Sequence, residues 1–133
     1  MISRIKLNSF KANNGNLVPF YFHKLIKFEA KRLFILSGKK NHIRGNHAHK
    51  KCTQIFIPIL GKTKLEIIYK NKNKKIVLNS SNPEYVKILP LHWCTVQFLS
   101  EKSSLLVLCD KEFSENDYIR NFKEYELYCK NFL

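Results

Sequence analysis

No stretch of this 133-residue chain is apolar for long enough to cross a bilayer, so no membrane-spanning helix and no membrane partner is expected. The opening Met1-Ile2-Ser3-Arg4-Ile5-Lys6 lacks the apolar segment of a secretory signal, and a cytoplasmic protein is the expectation. Cysteines are few: Cys52, Cys94, Cys109 and Cys129. None forms a Cys-x-x-Cys pair and three fall in apolar tracts, which fits reduced, mostly buried thiols. There is no repeat and no linker. The length suits one domain over residues 1–133 with one sizeable core.

Acidic residues are scarce, 10 against 24 basic ones, for a net charge of +14. Such an excess invites a nucleic-acid partner. Lysines, however, supply all but four of the basic residues. They gather in turns such as Lys70-Asn71-Lys72-Asn73-Lys74-Lys75, which reads as a solvated hairpin tip, so no nucleic-acid partner is expected. The arginines are only Arg4, Arg32, Arg44 and Arg120. A scarce side chain with a planar fork for phosphate carries more information than an abundant lysine.

What the chain does have is short β-rich segments between polar turns. Leu17–Phe22, Arg32–Leu36, Thr53–Leu60, Leu65–Tyr69, Lys75–Leu78, Tyr85–Leu89, Thr95–Leu99 and Leu105–Cys109 all read as strands. Their regular spacing predicts an all-β, antiparallel sandwich or barrel. Ile55-Phe56-Ile57-Pro58-Ile59-Leu60 is apolar on both faces, so its outer face needs cover from a second sheet or a second subunit. Pro58 lacks a donor and predicts an edge or a bulge. Ser114, followed by Glu115 and Asp117, predicts the start of a short C-terminal helix over about 114–133.

The most informative stretch is Arg44-Gly45-Asn46-His47-Ala48-His49-Lys50. Residues two apart on a strand point to one face, so His47 and His49 project two imidazoles into one space. Two groups that carry protons near neutral pH, beside the cation Arg44, point to proton chemistry on an anionic substrate. Gln54 follows at a spacing of opposite parity and joins the same face only through a bulge, expected at Lys50-Lys51.

The spacing His47-x-His49, Gln54, Gly61 resembles the first cupin motif, in which two histidines and a glutamate bind a metal inside a small β-barrel. Here glutamine replaces the glutamate, and Thr95 stands where a further histidine ligand is expected. An amide is a poor transition-metal ligand, so no metal and no cofactor is expected. That combination resembles the sugar nucleotide 3,4-ketoisomerase branch of the cupins, the WxcM-like cupins that act on dTDP-4-keto-6-deoxyglucose and related sugars. Val18-Pro19-Phe20, Lys31-Arg32-Leu33-Phe34-Ile35, the histidine motif and Asp117-Tyr118-Ile119-Arg120 with Phe122 and Tyr125 together carry the resemblance. Two departures stand out: Phe34 near a position often held by tyrosine, and Cys94-Thr95 where the family often has His-Glu.

The resemblance implies a small antiparallel cupin-type β-barrel, or jelly roll, ending in a short helix. It implies a homodimer with a strand exchanged near the N-terminus. It also implies movement of the keto group of a dTDP-4-keto-6-deoxyhexose from C4 to C3 through an enediol, in dTDP-3-amino-3,6-dideoxyhexose biosynthesis. His47 and His49 are then the catalytic pair, with His49 expected as the carbon base and His47 as the proton shuttle, or the reverse. Arg44, Arg32, Asn46, Gln54 and Trp93 are the expected substrate-binding residues, Arg44 foremost for the diphosphate. The rivals are a non-catalytic sugar-nucleotide-binding cupin and a metal-dependent cupin enzyme. A basic RNA-binding barrel ranks last.

Overall fold

Period-two alternation shapes most strands. In β7 (Lys62–Tyr69), Thr63, Leu65 and Ile67 are buried while Lys64 and Glu66 between them are not. The structure, a computed structural model, describes residues 2–25 and 27–132. Within them run β1 (Ile2–Lys6), the hairpin β2 (Phe10–Ala12) and β3 (Gly15–Leu17), β4 (Arg32–Gly38), β5 (Ile43–His49) and β6 (Gln54–Leu60). After β7 come β8 (Lys72–Asn79), β9 (Glu84–Ile88), β10 (Trp93–Phe98), β11 (Ser103–Cys109), β12 (Tyr118–Ile119) and the helix α1 (Phe122–Phe132).

All strand pairs are antiparallel. They build two five-stranded sheets, ordered β1-β9-β6-β11-β4 and β12-β5-β10-β7-β8. This is the expected all-β, cupin-like jelly roll with a short C-terminal helix. The core between the sheets includes Phe56, Leu65, Leu78, Val86, Val96, Phe98, Leu105 and Val107. At the Gly38 end of β4 the interior is full, because any Cβ on Gly38 would collide with the Phe98 ring. Toward the Arg32 end the packed interior gives way to a cavity.

The outer face of β6 is covered by the chain's own N-terminal segment. Leu7, Phe20, Leu25 and Phe28 pack with Ile55, Ile57, Tyr85 and Leu108. Ile59 and Leu60, beyond that cover, stay exposed. Pro58 does sit at a bulge. Leu105 pairs with Pro58 and Ser104 with Leu60, so Ile59 is the extra residue, and β9 pairs with β6 only up to Phe56.

Two local expectations fail, and one further strand forms outside the expected set. The strand expected over Leu17–Phe22 ends at Leu17. Pro19 has no N–H for a ladder, and Phe20 turns its ring onto Tyr85 before a short 3₁₀ turn at Phe22–Lys24. The segment Ile2–Lys6, outside the expected strands, forms β1 at the sheet edge against β9. The helix does not start at Ser114, whose side chain caps nothing. Residues Glu115–Asp117 form a 3₁₀ turn and Tyr118–Ile119 pair with β5. The helix begins after Asn121, whose side-chain oxygen accepts from the Glu124 N–H at 3.1 Å.

Candidate active site

β5 delivers the motif, and its geometry departs from simple alternation. Cys94 pairs with His47 and Thr95 with Gly45, which leaves Asn46 as an inserted residue. Gly45 and Asn46 both take positive φ, 85° and 59°, the conformation a glycine-led bulge requires. A Cβ on Gly45 would lie 2.9 Å from the Cys94 carbonyl oxygen, so glycine also allows the close approach of β10. The insertion inverts parity. Arg44 therefore shares the inner face with His47, and Ile43 turns outward.

The cavity has a volume of about 490 Å³. Arg32, Phe34 and Leu36 of β4, Arg44 and His47 of β5, and Gln54 and Phe56 of β6 contribute to its wall. So do Cys94 and Val96 of β10, with Phe113, Tyr118 and Arg120 from the tail. Three of the four arginines meet there. Arg44 has no carboxylate partner among the described residues, whereas Arg120 grips Glu115 through two bonds of 2.6 and 3.0 Å. The Arg120 guanidinium also lies 4.3 Å from the Tyr118 ring centre.

The two imidazoles stand edge to face, 5.1 Å between centres, and the Tyr118 ring touches both at 4.9 and 4.3 Å. His49 does not line the cavity; it stands behind His47 and Tyr118. β12 pairs Tyr118 with His49, which brings Asp117 against the ring. Asp117 Oδ2 lies 2.9 Å from His49 Nδ1, and Oδ1 accepts from the Lys51 N–H at 2.7 Å. A carboxylate there fixes the proton on Nδ1 and leaves a lone pair on Nε2. Burial pushes His47 down to about 4, helped by the neighbouring His49. His49 is also pushed down by burial, against the opposing pull of Asp117. Both rings are thus uncharged near neutral pH.

Three buried side-chain atoms lack a hydrogen-bond partner among the described residues: Arg32 Nε, His47 Nδ1 and His49 Nε2. Buried polar groups are rarely left so, and all three belong to this cluster, where water or a substrate can meet them. His49, Cys52 and Asp117 also offer ligand atoms within 4.8 Å of one another. That trio excludes His47 and Gln54, the other members of the cupin metal spacing. Its carboxylate is already bonded to His49 and Lys51.

The structure therefore brings together Arg32, Arg44, His47, His49 and Gln54. Gln54 arrives through the crossing of the chain to the opposite sheet, not through a bulge at Lys50-Lys51, since β5 ends at His49 and β6 begins at Gln54. Asn46 and Trp93 do not join the cavity. Asn46, at the bulge, is exposed and accepts from the Thr95 hydroxyl at 2.9 Å. Trp93 points away from its inward neighbour Cys94 and is buried under the helix against Phe122 and Tyr125. Of the pair expected to matter after Trp93, Cys94 faces the cavity and Thr95 does not. The sequence alone assigns no site role to Asp117, Phe113, Cys109, Tyr118 or Arg120. Their placement depends on the register of β12 and β11, which no local pattern announces.

Residues 2–130 match the family model FdtA, described as WxcM-like, C-terminal. A TDP-4-oxo-6-deoxy-alpha-D-glucose-3,4-oxoisomerase from Aneurinibacillus thermoaerophilus is 32% identical over 117 residues, 85% of this chain and 84% of the relative. QdtA, a sugar 3,4-ketoisomerase from Thermoanaerobacterium thermosaccharolyticum solved in complex with TDP, superposes with a TM-score of 0.87. Its identity is 32%, over 99% of this chain and 97% of that one. A 3,4-ketoisomerase from Helicobacter canadensis gives a TM-score of 0.84 at 30% identity, over 93% of each chain.

Proposed function

The chain belongs to the FdtA, WxcM-like family, and on that premise we propose that it is a sugar nucleotide 3,4-ketoisomerase acting on a dTDP-linked 4-keto-6-deoxyhexose. The observation that carries the reading is a cavity lined by the uncharged His47, backed by the uncharged His49, and reached by Arg32, Arg44 and Gln54, of which Arg44 has no carboxylate partner among the described residues. The reaction needs a base at C3, return of the proton at C4, and proton exchange between the two oxygens. One carbon is oxidised as its neighbour is reduced, so no redox cofactor takes part.

His47 lines the cavity and holds its lone pair at neutral pH, so we assign it the carbon-bound proton. This reverses the order favoured on sequence grounds. His49, set back and oriented by Asp117, takes the shuttle role through Nε2. Arg44 is the diphosphate ligand, since no carboxylate competes for its fork. We assign Arg32 and Gln54 to the sugar, while Phe34 and Phe113 line the cavity with apolar surface. No step requires a metal. The site belongs to one cupin domain over residues 1–133 of a cytoplasmic homodimer that feeds an aminotransferase making dTDP-3-amino-3,6-dideoxyhexoses.

Proton NMR of dTDP-4-keto-6-deoxyglucose with the protein in deuterium oxide tests the reading. The expected result is a 3-keto sugar carrying deuterium at C4 whenever the transferred proton exchanges with solvent. Tight TDP-sugar binding without conversion would replace the enzyme by a binding-only cupin.

A further inference from the structure

One sulfur holds two of the cavity's long polar side chains. In the strand register, Cys109 of β11 faces Arg32 of β4 on one side and Gln54 of β6 on the other, so the three stand abreast. At Cys109 Sγ, Arg32 Nη2 donates at 3.4 Å and Gln54 Nε2 donates at 3.4 Å. The Cys52 thiol donates to the Thr53 carbonyl at 3.4 Å and neighbours the same sulfur. Cys109 is fully buried, yet Arg32 and Gln54 reach past it to the cavity wall.

A neutral thiol is a weak acceptor. A sulfur that collects donors from a guanidinium and an amide in a dry site is stabilised as the thiolate. The neighbours fit that state. The neighbouring Cys52, then Gln54 and Arg32, lower the Cys109 thiol below its ordinary value, against the opposing effect of burial. The titratable groups that face the sulfur are Arg32 from β4 and Cys52 ahead of β6, with Asp110 acting on Cys52.

Resting on the function proposed above, we infer that Cys109 is a positioning residue: its sulfur anchors Arg32 and Gln54 so that Arg32 Nε–H and the Gln54 amide oxygen are left to meet the sugar. The anchor settles which end of the Gln54 amide is free, because Nε2 is already taken by the sulfur. Arg32 shares Nη2 between Cys109 and the Tyr118 hydroxyl, 3.4 Å from each, while Nε has no partner. A donor held there can meet the oxygen on which negative charge grows as the enediol forms, and the free amide oxygen can accept from a sugar hydroxyl. Serine in place of Cys109 keeps a neutral acceptor, whereas alanine removes it.

The test has two arms. Ultraviolet thiolate absorbance, followed by acid titration of the folded protein, should show a band at neutral pH that disappears with a midpoint below that of an ordinary thiol. The band should be absent from Cys109→Ser and present in Cys52→Ala. Steady-state kinetics should show kcat/KM about tenfold lower in Cys109→Ser and lower again in Cys109→Ala, the scale of one hydrogen bond to a charged group. The melting temperature of Cys109→Ser should stay near wild type, and that variant carries the kinetic arm alone if Cys109→Ala does not fold. A thiolate band that persists in Cys109→Ser, or kcat and KM of wild type in the folded variants, overturns the inference. If the wild-type protein converts no sugar, the proposed function falls instead, and the titration alone then decides whether Cys109 is the anchor.

Discussion

His47 and His49 are the same side chain two residues apart, and what touches each one separates their roles. His47 lines the cavity with Nδ1 unpartnered, while His49 gives Nδ1 to Asp117 and stands behind. His47→Asn should lower kcat by about two to four powers of ten with little change in KM, since asparagine fills the space and carries no proton. His49→Asn should also slow turnover but leave exchange of the C3 proton with deuterium oxide, because the carbon base remains. Exchange lost in His49→Asn and kept in His47→Asn would return the carbon base to His49. Arg44 raises a different expectation. It has no carboxylate partner among the described residues, so Arg44→Ala should raise KM about tenfold or more while kcat changes little, as for a contact made equally in ground and transition states. Steady-state kinetics with the TDP-sugar decides it; a fall confined to kcat would move Arg44 to the reacting end of the cavity.

At the scale of elements, what the sequence revealed depended on how local the cause was. Alternation in β7 and β10 needs only a buried face, and Leu65, Ile67, Val96 and Phe98 announce it. The bulge in β5 needs the partner strand, because Asn46 is extra only relative to Cys94 and Thr95. The pair His47 and His49 was therefore legible, while the inversion that turns Arg44 inward was not. The C-terminal helix shows two competing local signals. Ser114 with Glu115 and Asp117 resembles a helix start, yet Tyr118 and Ile119 are drawn into pairing with His49 and Ala48. Asn121, with Glu124 three residues on, carries the cap that forms. Asn121→Ala should therefore cost about 1 kcal/mol in denaturant unfolding, and Ser114→Ala close to nothing, since the Ser114 side chain caps no N–H. Equal losses in the two variants would place the helix start where the sequence alone suggested.

For the whole molecule, two surfaces and one charge balance set expectations. Leu33 and Ile35 of β4 and Phe10 and Leu17 of the β2–β3 hairpin are each more than half exposed, although β6 is largely covered by the chain's own N-terminal segment. An edge strand with such residues and an exposed hairpin are each suited to cover by a partner copy. Sedimentation at micromolar concentration should find a dimer, and Leu33→Lys combined with Ile35→Lys should yield monomer; a wild-type monomer rules the dimer out. The charge balance bears on acid stability. His47, His49 and His92 are all pushed below the ordinary histidine value, in each case chiefly by burial. The unfolded chain therefore binds protons more readily than the folded one below pH of about 6.5. The stabilising contribution is complete above that value and is lost as pH falls, for His47 down through about 4. The chain already carries +14, so each added proton also increases repulsion in the compact state. Melting temperature should fall steadily from neutral pH toward pH of about 4, by an amount equivalent to about 1 kcal/mol per pH unit for each fully shifted histidine. His47→Asn cannot take up that proton, so its profile should be flatter than wild type at equal salt. Parallel profiles would mean that His47 titrates alike in folded and unfolded chains. Its ring would then be solvated in the free protein, and its readiness as a base would depend on substrate closing the cavity over it.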